Sequence, residues 1–140
     1  MSETAEEGIA RRAARVARIR AETGLDEAMI ERVVDAFYER VRADPLLAPV
    51  FAARVSDWGP HLARMRRFWN SIALLEGGYQ GKPMDKHRHL PVESPHFDRW
   101  LALFEQTAAE VCPPAAAALL RTHAARIAGS LQGAVERARS

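Results

Sequence analysis

Apolar side chains recur at helical spacing in the first half of the chain. The stretch "LDEAMIERVVDAFYERV" carries a stripe made of Met29, Ile30, Val33, Val34, Phe37, Tyr38 and Val41. This spacing predicts one amphipathic α-helix. Asp26 can cap its N-terminus, and Leu25 can pack on Ile30 as a hydrophobic staple. The prolines of "DPLLAP" end the helix, and we expect Phe51 to follow in an apolar turn.

The same periodicity predicts three further long helices. One runs from about Asp57 to Glu76, with Pro60 in its first turn and two glycines after its end. Another spans roughly Ser94 to Cys112, with Ser94 as its N-cap, and the last spans about Pro114 to Ala138. The chain has no strand pattern and no internal repeat. It is therefore predicted to be all-α, with about four main helices.

The N-terminal stretch differs from the rest because its apolar stripe is thin. Only Ile9, Val16 and Ile19 are large apolar residues there, and five arginines follow Ile9 before residue 21. Two interpretations stay open. Residues 1–25 form a basic extension that is helical or frayed in solvent, or they form a basic arm for nucleic acid or anionic lipid.

Composition narrows the function classes. The 140 residues are 48% hydrophobic and 27% charged, which is typical of one soluble domain. A net charge of only +2 argues against a nucleic-acid partner. The single cysteine, Cys112, excludes an intrachain disulfide and a cysteine-based zinc site. We expect a cytoplasmic protein with no membrane segment, because no apolar run approaches the roughly 20 residues that a span requires and the acidic N-terminus is unlike a leader.

Several residues could carry chemistry, although none does so convincingly alone. The chain has no glycine-rich phosphate loop, no GxSxG and no HExxH. Tyr38, His61 and Trp100 each lie on the apolar face of a different predicted helix, and the proline-bounded connector "GKPMDKHRHLP" holds His87 and His89. Taken singly, these are ordinary core or loop residues. Taken together with nearby aromatic and methionine side chains, they suit a flat apolar cofactor with an axial imidazole.

Five strings, in this order, resemble the group III truncated haemoglobins. They are "FYERVRADPLLAPVF", "DWGPHLARMRRFWNSIALL", "YQGKPMDKHRHLP", "HFDRWLALFEQT" and "RIAGSL". The resemblance covers about residues 26–136. It implies a truncated globin domain over residues 26–138, folded as a two-over-two helical sandwich around haem b and its iron.

The resemblance also implies roles for individual residues. His87 falls at the proximal iron ligand, whereas His89 is expected near the haem edge or in solvent. Tyr38, His61 and Trp100 fall on the distal side, where they would stabilise a bound ligand; His61 could instead gate entry or bind ferric iron. Phe51 is expected on the haem face and Arg64 beside a propionate. The expected haem contacts are Phe51, His61, Arg64, Met65, Phe68, Met84, Trp100 and Phe104.

The implied function is binding of dioxygen, nitric oxide or another diatomic ligand. Three polar distal residues favour O₂/NO or peroxide chemistry of the nitric-oxide-dioxygenase or peroxidase kind. Such chemistry needs an external electron donor or reductase, because a chain of this length has no room for a flavin or nicotinamide domain as well. The alternatives are a non-enzymatic gas sensor or ligand-storage globin, and a helical protein without haem whose arm binds nucleic acid.

Overall fold

The computed structural model describes residues 4–74 and 91–139, and within them the chain forms six helices and no strand. The helices are α1 (Ala5–Thr23), α2 (Glu27–Ala43), α3 (Ala48–Arg54), α4 (Trp58–Ala73), α5 (Ser94–Val111) and α6 (Pro114–Arg139). The all-α prediction is confirmed. The predicted end of α4 at Glu76 lies outside the described residues, and so do Met84, His87 and His89.

Helix α2 is the central element of the fold. The Asp26 carboxylate accepts a hydrogen bond from the Met29 N–H at 2.8 Å, which caps the helix as its sequence predicts. Its buried stripe consists of Ile30, Val33, Val34, Phe37, Tyr38 and Val41. Through this stripe α2 packs against α3, α4 and α5. The buried side of α2 therefore contributes residues both to the core and to the site described below.

The proline-rich stretch after α2 forms a short helix, so the predicted apolar turn at Phe51 is wrong. The buried carboxylate of Asp44 accepts hydrogen bonds from the backbone N–H groups of Leu46 and Leu47 at 3.1 and 3.0 Å. It also accepts one from Arg99 Nε at 2.7 Å. Burial alone would raise the pKa of Asp44, but these hydrogen bonds and the Arg99 charge lower it. The ionised carboxylate orders the turn so that α3 can begin at Ala48.

Two helix pairs make up the sandwich. Helix α2 packs against α4, α5 packs against α6, and the pairs meet where α2 contacts α5 and α4 contacts α6. Arg40 Nη1 donates to Thr107 Oγ1 at 3.0 Å, joining α2 to α5. Helix α5 begins at Ser94 itself, with Glu93 as the N-cap, one residue before the predicted cap. The arrangement matches the expected two-over-two sandwich.

The N-terminal extension forms the helix α1, which packs against α6. A reciprocal pair of hydrogen bonds between Thr4 and Glu7 caps its start, and Gly24, at φ 79°, ends it in the left-handed conformation that glycine favours. Ile19 is buried in the core, whereas Ile9 is exposed. None of the helices in the described part of the chain is long and apolar enough to cross a membrane.

Candidate functional site

A cavity of about 590 Å³ opens between the two helix pairs. Its lining comes from every helix except α1: Tyr38, Leu47, Val50, Phe51, Arg54, Val55, Ser56, Asp57, Pro60, His61, Arg64, Met65, Phe68, Trp69, Val92, His96, Phe97, Trp100, Ile127, Ala128 and Leu131. The volume lies in the range of roughly 300–1,000 Å³ that sites for small molecules and cofactors occupy. Most of the wall is apolar, with a few polar groups among the apolar side chains.

Most of the residues singled out from the sequence meet at this cavity. Tyr38, Phe51, His61, Arg64, Met65, Phe68 and Trp100 all line it. Phe104 does not; it is 0% exposed and lies one layer behind the wall. Its ring stacks on Trp69 at 4.6 Å and on Trp100 at 5.9 Å between ring centroids. Phe104 therefore supports two lining residues from the core.

Four aromatic side chains form a compact group at one side of the cavity, here called the Tyr38 cluster: Tyr38, Phe51, Trp58 and His61. The Tyr38 ring lies 5.9 Å from Phe51 and 5.3 Å from His61, both close to edge-on. Trp58 lies 5.9 Å from Tyr38 and 5.3 Å from His61. The cluster joins three helices: the hydroxyl of Tyr38 comes from α2, the phenyl ring of Phe51 from α3, and the indole and imidazole of Trp58 and His61 from α4.

The hydroxyl of Tyr38 is held in its protonated form. The side chain is only 5% exposed, and burial raises its pKa above the usual tyrosine value, because a phenolate would lose its hydration there. A protonated phenol is both a hydrogen-bond donor and an acceptor. In surroundings of low polarity, such a donor interacts more strongly with a negatively charged atom than it would in water.

Several cavity residues were not predicted as site residues. The helical spacing of apolar residues in the sequence puts Phe97, Ile127 and Leu131 on the inner faces of their helices, so periodicity gives a usable signal for them. His96 had no such signal, because it lies in the first turn of α5. Its Nδ1 accepts a hydrogen bond from the Glu93 N–H at 3.0 Å. The His96 side chain therefore contributes to the N-terminal cap of α5 as well as to the cavity lining.

Helix α4 contributed two further residues that the sequence left unassigned. The helical period puts Trp58 beside the inner face of its helix without giving it a role, and in the structure it contacts both Tyr38 and His61. Trp69 lines the cavity and stacks on Phe104. Periodicity indicates that both side chains turn inward, and it also puts His61 next to Trp58 on the same helix, but the contacts with Tyr38 and Phe104 depend on helices that are distant in sequence.

Comparison with known proteins assigns the family. Residues 21–135 match the family described as bacterial-like globin, and this range contains every residue that lines the cavity. The chain belongs to this family. Residues 5–20 of α1 precede the matched range. Membership implies a haem-binding globin that takes diatomic ligands.

Individual relatives confirm the predicted resemblance to group III. The group 3 truncated hemoglobin ctb of Campylobacter jejuni is 39% identical over 88 residues, which cover 59% of this chain and 69% of that protein. The group 1 truncated hemoglobin GlbN of Nostoc sp. is 40% identical over 70 residues, covering 49% of this chain and 58% of that protein. The group 1 match is shorter and covers less of both chains, and both relatives are truncated hemoglobins.

Solved structures agree with the sequence matches. The crystal structure of the group III truncated hemoglobin from Campylobacter jejuni has a TM-score of 0.73 at 33% identity, covering 79% of this chain and 91% of that one. The hemoglobin of the thermophilic phototroph Chloroflexus aurantiacus has a TM-score of 0.65 at 27% identity, with coverage of 81% and 95%. The truncated globin fold is thereby confirmed for this chain.

The cavity itself suits a haem. Its volume is that of a cofactor site, its walls are apolar, and Arg54 and Arg64 are cations that could meet carboxylates. In the described residues no group of three or more histidine, cysteine, aspartate or glutamate side chains could hold a metal ion.

Proposed function

We propose that this globin holds haem b in the cavity, with His87 as the proximal iron ligand, and binds dioxygen or another diatomic ligand beside the Tyr38 cluster. The observation that carries the proposal is the buried, protonated phenol of Tyr38 at the wall of an apolar cavity of about 590 Å³. A buried hydroxyl donor in such a place is suited to a small ligand that gains negative charge on binding.

Bound haem would supply an iron that takes up a diatomic ligand and exchanges electrons. The side chains of this chain do the remaining work. Phe51, Met65 and Phe68 form apolar walls that would keep water away from the ligand, and with Trp100 they are the large apolar members of the expected haem contact set that lie on the cavity lining. Met84 would extend this wall from the connector. Arg64 is assigned to a propionate, and Arg54 is a second cation on the same lining.

Tyr38, His61 and Trp100 are assigned as the distal residues that stabilise the ligand. Tyr38 donates through its hydroxyl, and Trp100 can donate only through its indole N–H. Both lie on the cavity lining, from α2 and α5 respectively. His61 enters from α4 and contacts the Tyr38 ring edge-on. Its position permits donation to the ligand, control of entry, or ligation of ferric iron.

The reaction that suits this arrangement is O₂/NO or peroxide chemistry rather than simple delivery of oxygen. Donors on two sides of a ligand hold it and stabilise charge that develops on it. Turnover requires electrons, which we assign to an external reductase. A reducing, cytoplasmic setting also suits the thiol of Cys112, whose pKa is raised by burial despite the opposing charge of Arg32.

A non-enzymatic gas sensor is the second candidate, and the packing of α1 favours it. Helix α6 lines the cavity with Ile127 and Leu131, and it also carries His123 towards Arg15 of α1. Burial, together with the charges of Arg126 and Arg15, lowers the pKa of His123. A ligand-dependent shift of α6 would therefore reach α1 and its exposed arginines.

Nitric oxide consumption separates the two candidates. Haem-loaded protein with dioxygen and a chemical reductant should consume nitric oxide over many turnovers, and Tyr38→Phe should lower the rate. A single stoichiometric reaction followed by no turnover would contradict the enzymatic proposal. The sensor predicts instead that hydrogen exchange in α1 changes between the ligand-free and carbon monoxide forms.

A further inference from the structure

Two aromatic rings hold the His61 imidazole from different helices. The Tyr38 ring of α2 lies 5.3 Å away at an interplanar angle of 87°, and the Trp58 ring of α4 lies at the same distance and angle. Both contacts are edge-to-face, which is a favoured geometry for aromatic pairs. Rotation of the imidazole about its side-chain bonds would disrupt both contacts at once. The ring orientation of His61 is therefore set by its neighbours.

Trp58 is itself fixed by two further contacts. The guanidinium carbon of Arg42 lies 4.7 Å from the centre of the indole ring, within the range of a cation–π interaction. On another side, Phe51 stacks with Trp58 at 6.2 Å and an angle of 26°. Arg42 belongs to the last turn of α2 and is exposed. Contacts from α2 and α3 thus immobilise a ring at the start of α4.

Trp58 does not belong to the cavity lining, although its partners Tyr38, Phe51 and His61 do. Its contribution therefore reaches the cavity only through the side chains that it touches. A residue in this position determines how its neighbours are oriented without touching a bound molecule itself.

We propose that Trp58 is a positioning residue that holds the His61 imidazole in one orientation at the cavity, and that Arg42 keeps Trp58 in place. The ring geometry stands by itself, while its consequence for ligand binding rests on the distal role proposed for His61. One edge-to-face contact stabilises a conformer by about two- to tenfold in population. Loss of the Trp58 contact should raise the population of rotated His61 by that factor.

Four single substitutions test the proposal. Trp58→Leu removes the aromatic edge, whereas Trp58→Phe keeps an aromatic ring at the position. Arg42→Gln removes the cation from the outer face of the indole and, being an exposed change, leaves the core intact. Arg67→Gln is the matched control, because Arg67 is an exposed arginine of α4 with no part in the cluster.

The measurement is the side-chain ¹H–¹⁵N spectrum of His61 in haem-loaded protein, in the diamagnetic ferrous carbon monoxide form. Wild type, Trp58→Phe and Arg67→Gln should each give one sharp set of ring signals. Trp58→Leu should give a second or broadened set, and Arg42→Gln a smaller shift in the same direction. Where His61 controls ligand entry, the association rate of carbon monoxide should also rise about two- to tenfold in Trp58→Leu.

His61 ring signals that stay at wild-type positions in both Trp58→Leu and Arg42→Gln would overturn the proposal. Should Trp58→Leu fail to fold, Arg42→Gln alone decides it. The outcome is also separate from that of the proposed function. If Tyr38→Phe left ligand dissociation unchanged, the distal role proposed for Tyr38 would be wrong. The His61 spectra would still show whether Trp58 orients the imidazole.

Discussion

Two neighbouring residues of α2, Phe37 and Tyr38, begin two different aromatic groups. Phe37 is fully buried and belongs to the core group, defined here as Phe37, Trp69 and Phe104. In that group Phe37 lies 5.3 Å from Phe104, which stacks on Trp69 at 4.6 Å. Tyr38 begins the Tyr38 cluster, in which Phe51, Trp58 and His61 are only half-buried. The two rings touch each other at 5.0 Å.

The difference between these groups is chemical rather than geometric. Both are built from edge-to-face and stacked pairs, and both lie on the buried side of α2. The core group consists of almost fully buried rings, and although Trp69 also reaches the cavity lining, the group contributes mainly to stability. The Tyr38 cluster adds a hydroxyl and an imidazole at a cavity wall, so its contribution is to binding. Trp100 connects them, since it lines the cavity and also stacks on Phe104.

The largest effect is expected from Phe104→Ala in the core group. Loss of a fully buried ring should lower the free energy of unfolding by about 3–5 kcal/mol. Chemical denaturation of the haem-loaded protein measures it, and Phe104→Leu, which fills more of the space, should lose less. A loss below about 1 kcal/mol for the alanine variant would mean that the core group does not support the fold.

In the Tyr38 cluster, the matching substitution is Tyr38→Phe. It removes one hydroxyl and keeps the ring, so stability should change little. Loss of a hydrogen bond of roughly 1–3 kcal/mol should speed dioxygen dissociation about ten- to a hundredfold. Stopped-flow displacement of dioxygen by carbon monoxide measures the rate. Phe37→Leu is the control, and it should destabilise the protein without speeding dioxygen dissociation. Faster dissociation in Phe37→Leu but not in Tyr38→Phe would contradict the difference between the two groups.

A smaller effect is expected at Asp44, whose turn precedes the helix that carries Phe51. Asp44→Asn should lower the free energy of unfolding at neutral pH by about 1 kcal/mol, because an amide accepts these hydrogen bonds less strongly. The pKa of Asp44 is lower in the folded chain than in the unfolded chain. Its stabilisation is therefore present above the ordinary aspartate pKa and is lost as the pH falls through the lowered folded value.

Denaturation curves recorded between neutral and acidic pH measure how the stabilisation contributed by Asp44 depends on pH. Wild-type stability should fall more steeply than that of Asp44→Asn on acidification. Curves that run parallel at all pH values would show that Asp44 titrates equally in both states, which would contradict the lowered pKa. Arg99→Gln should act in the same direction with a smaller effect, since Arg99 is half-exposed and two backbone hydrogen bonds remain.

Most helices were predictable from the sequence because their apolar periodicity is strong. Helix α2 and its Asp26 cap follow directly from the pattern. Helix α3 could not be predicted in this way, because a segment of seven residues with a proline near its start shows no helical periodicity. The turn before it also depends on Arg99, which is distant in sequence. Periodicity also indicates only that a side chain turns inward. It could not place Phe104 behind the cavity wall or His96 on it, since depth depends on how helices pack.

The functional site was likewise predictable from the sequence only in part. The resemblance to group III pointed to Tyr38, His61 and Trp100, and the packing of α2, α4 and α5 brings all three to one cavity. It gave no role to Trp58, which contacts His61 as a neighbour three residues away on α4 and contacts Tyr38 because α4 packs on α2. Of these two contacts, the one with Tyr38 could not be read from the sequence. Such contacts depend on tertiary geometry that no local pattern encodes. The assignment of His87 as the iron ligand stays a prediction.

The absorption spectrum of the purified protein tests the central claim, a haem held by His87 beside the Tyr38 cluster. Spectra are recorded for the ferric, ferrous and ferrous carbon monoxide forms of wild type and His87→Ala after addition of haemin. If His87 holds the haem, wild type should show a Soret band and a carbon monoxide shift typical of an imidazole-ligated haem. His87→Ala should retain haem weakly or not at all. A wild-type protein that takes up no haemin, or a His87→Ala variant with full occupancy and unchanged spectra, would contradict it.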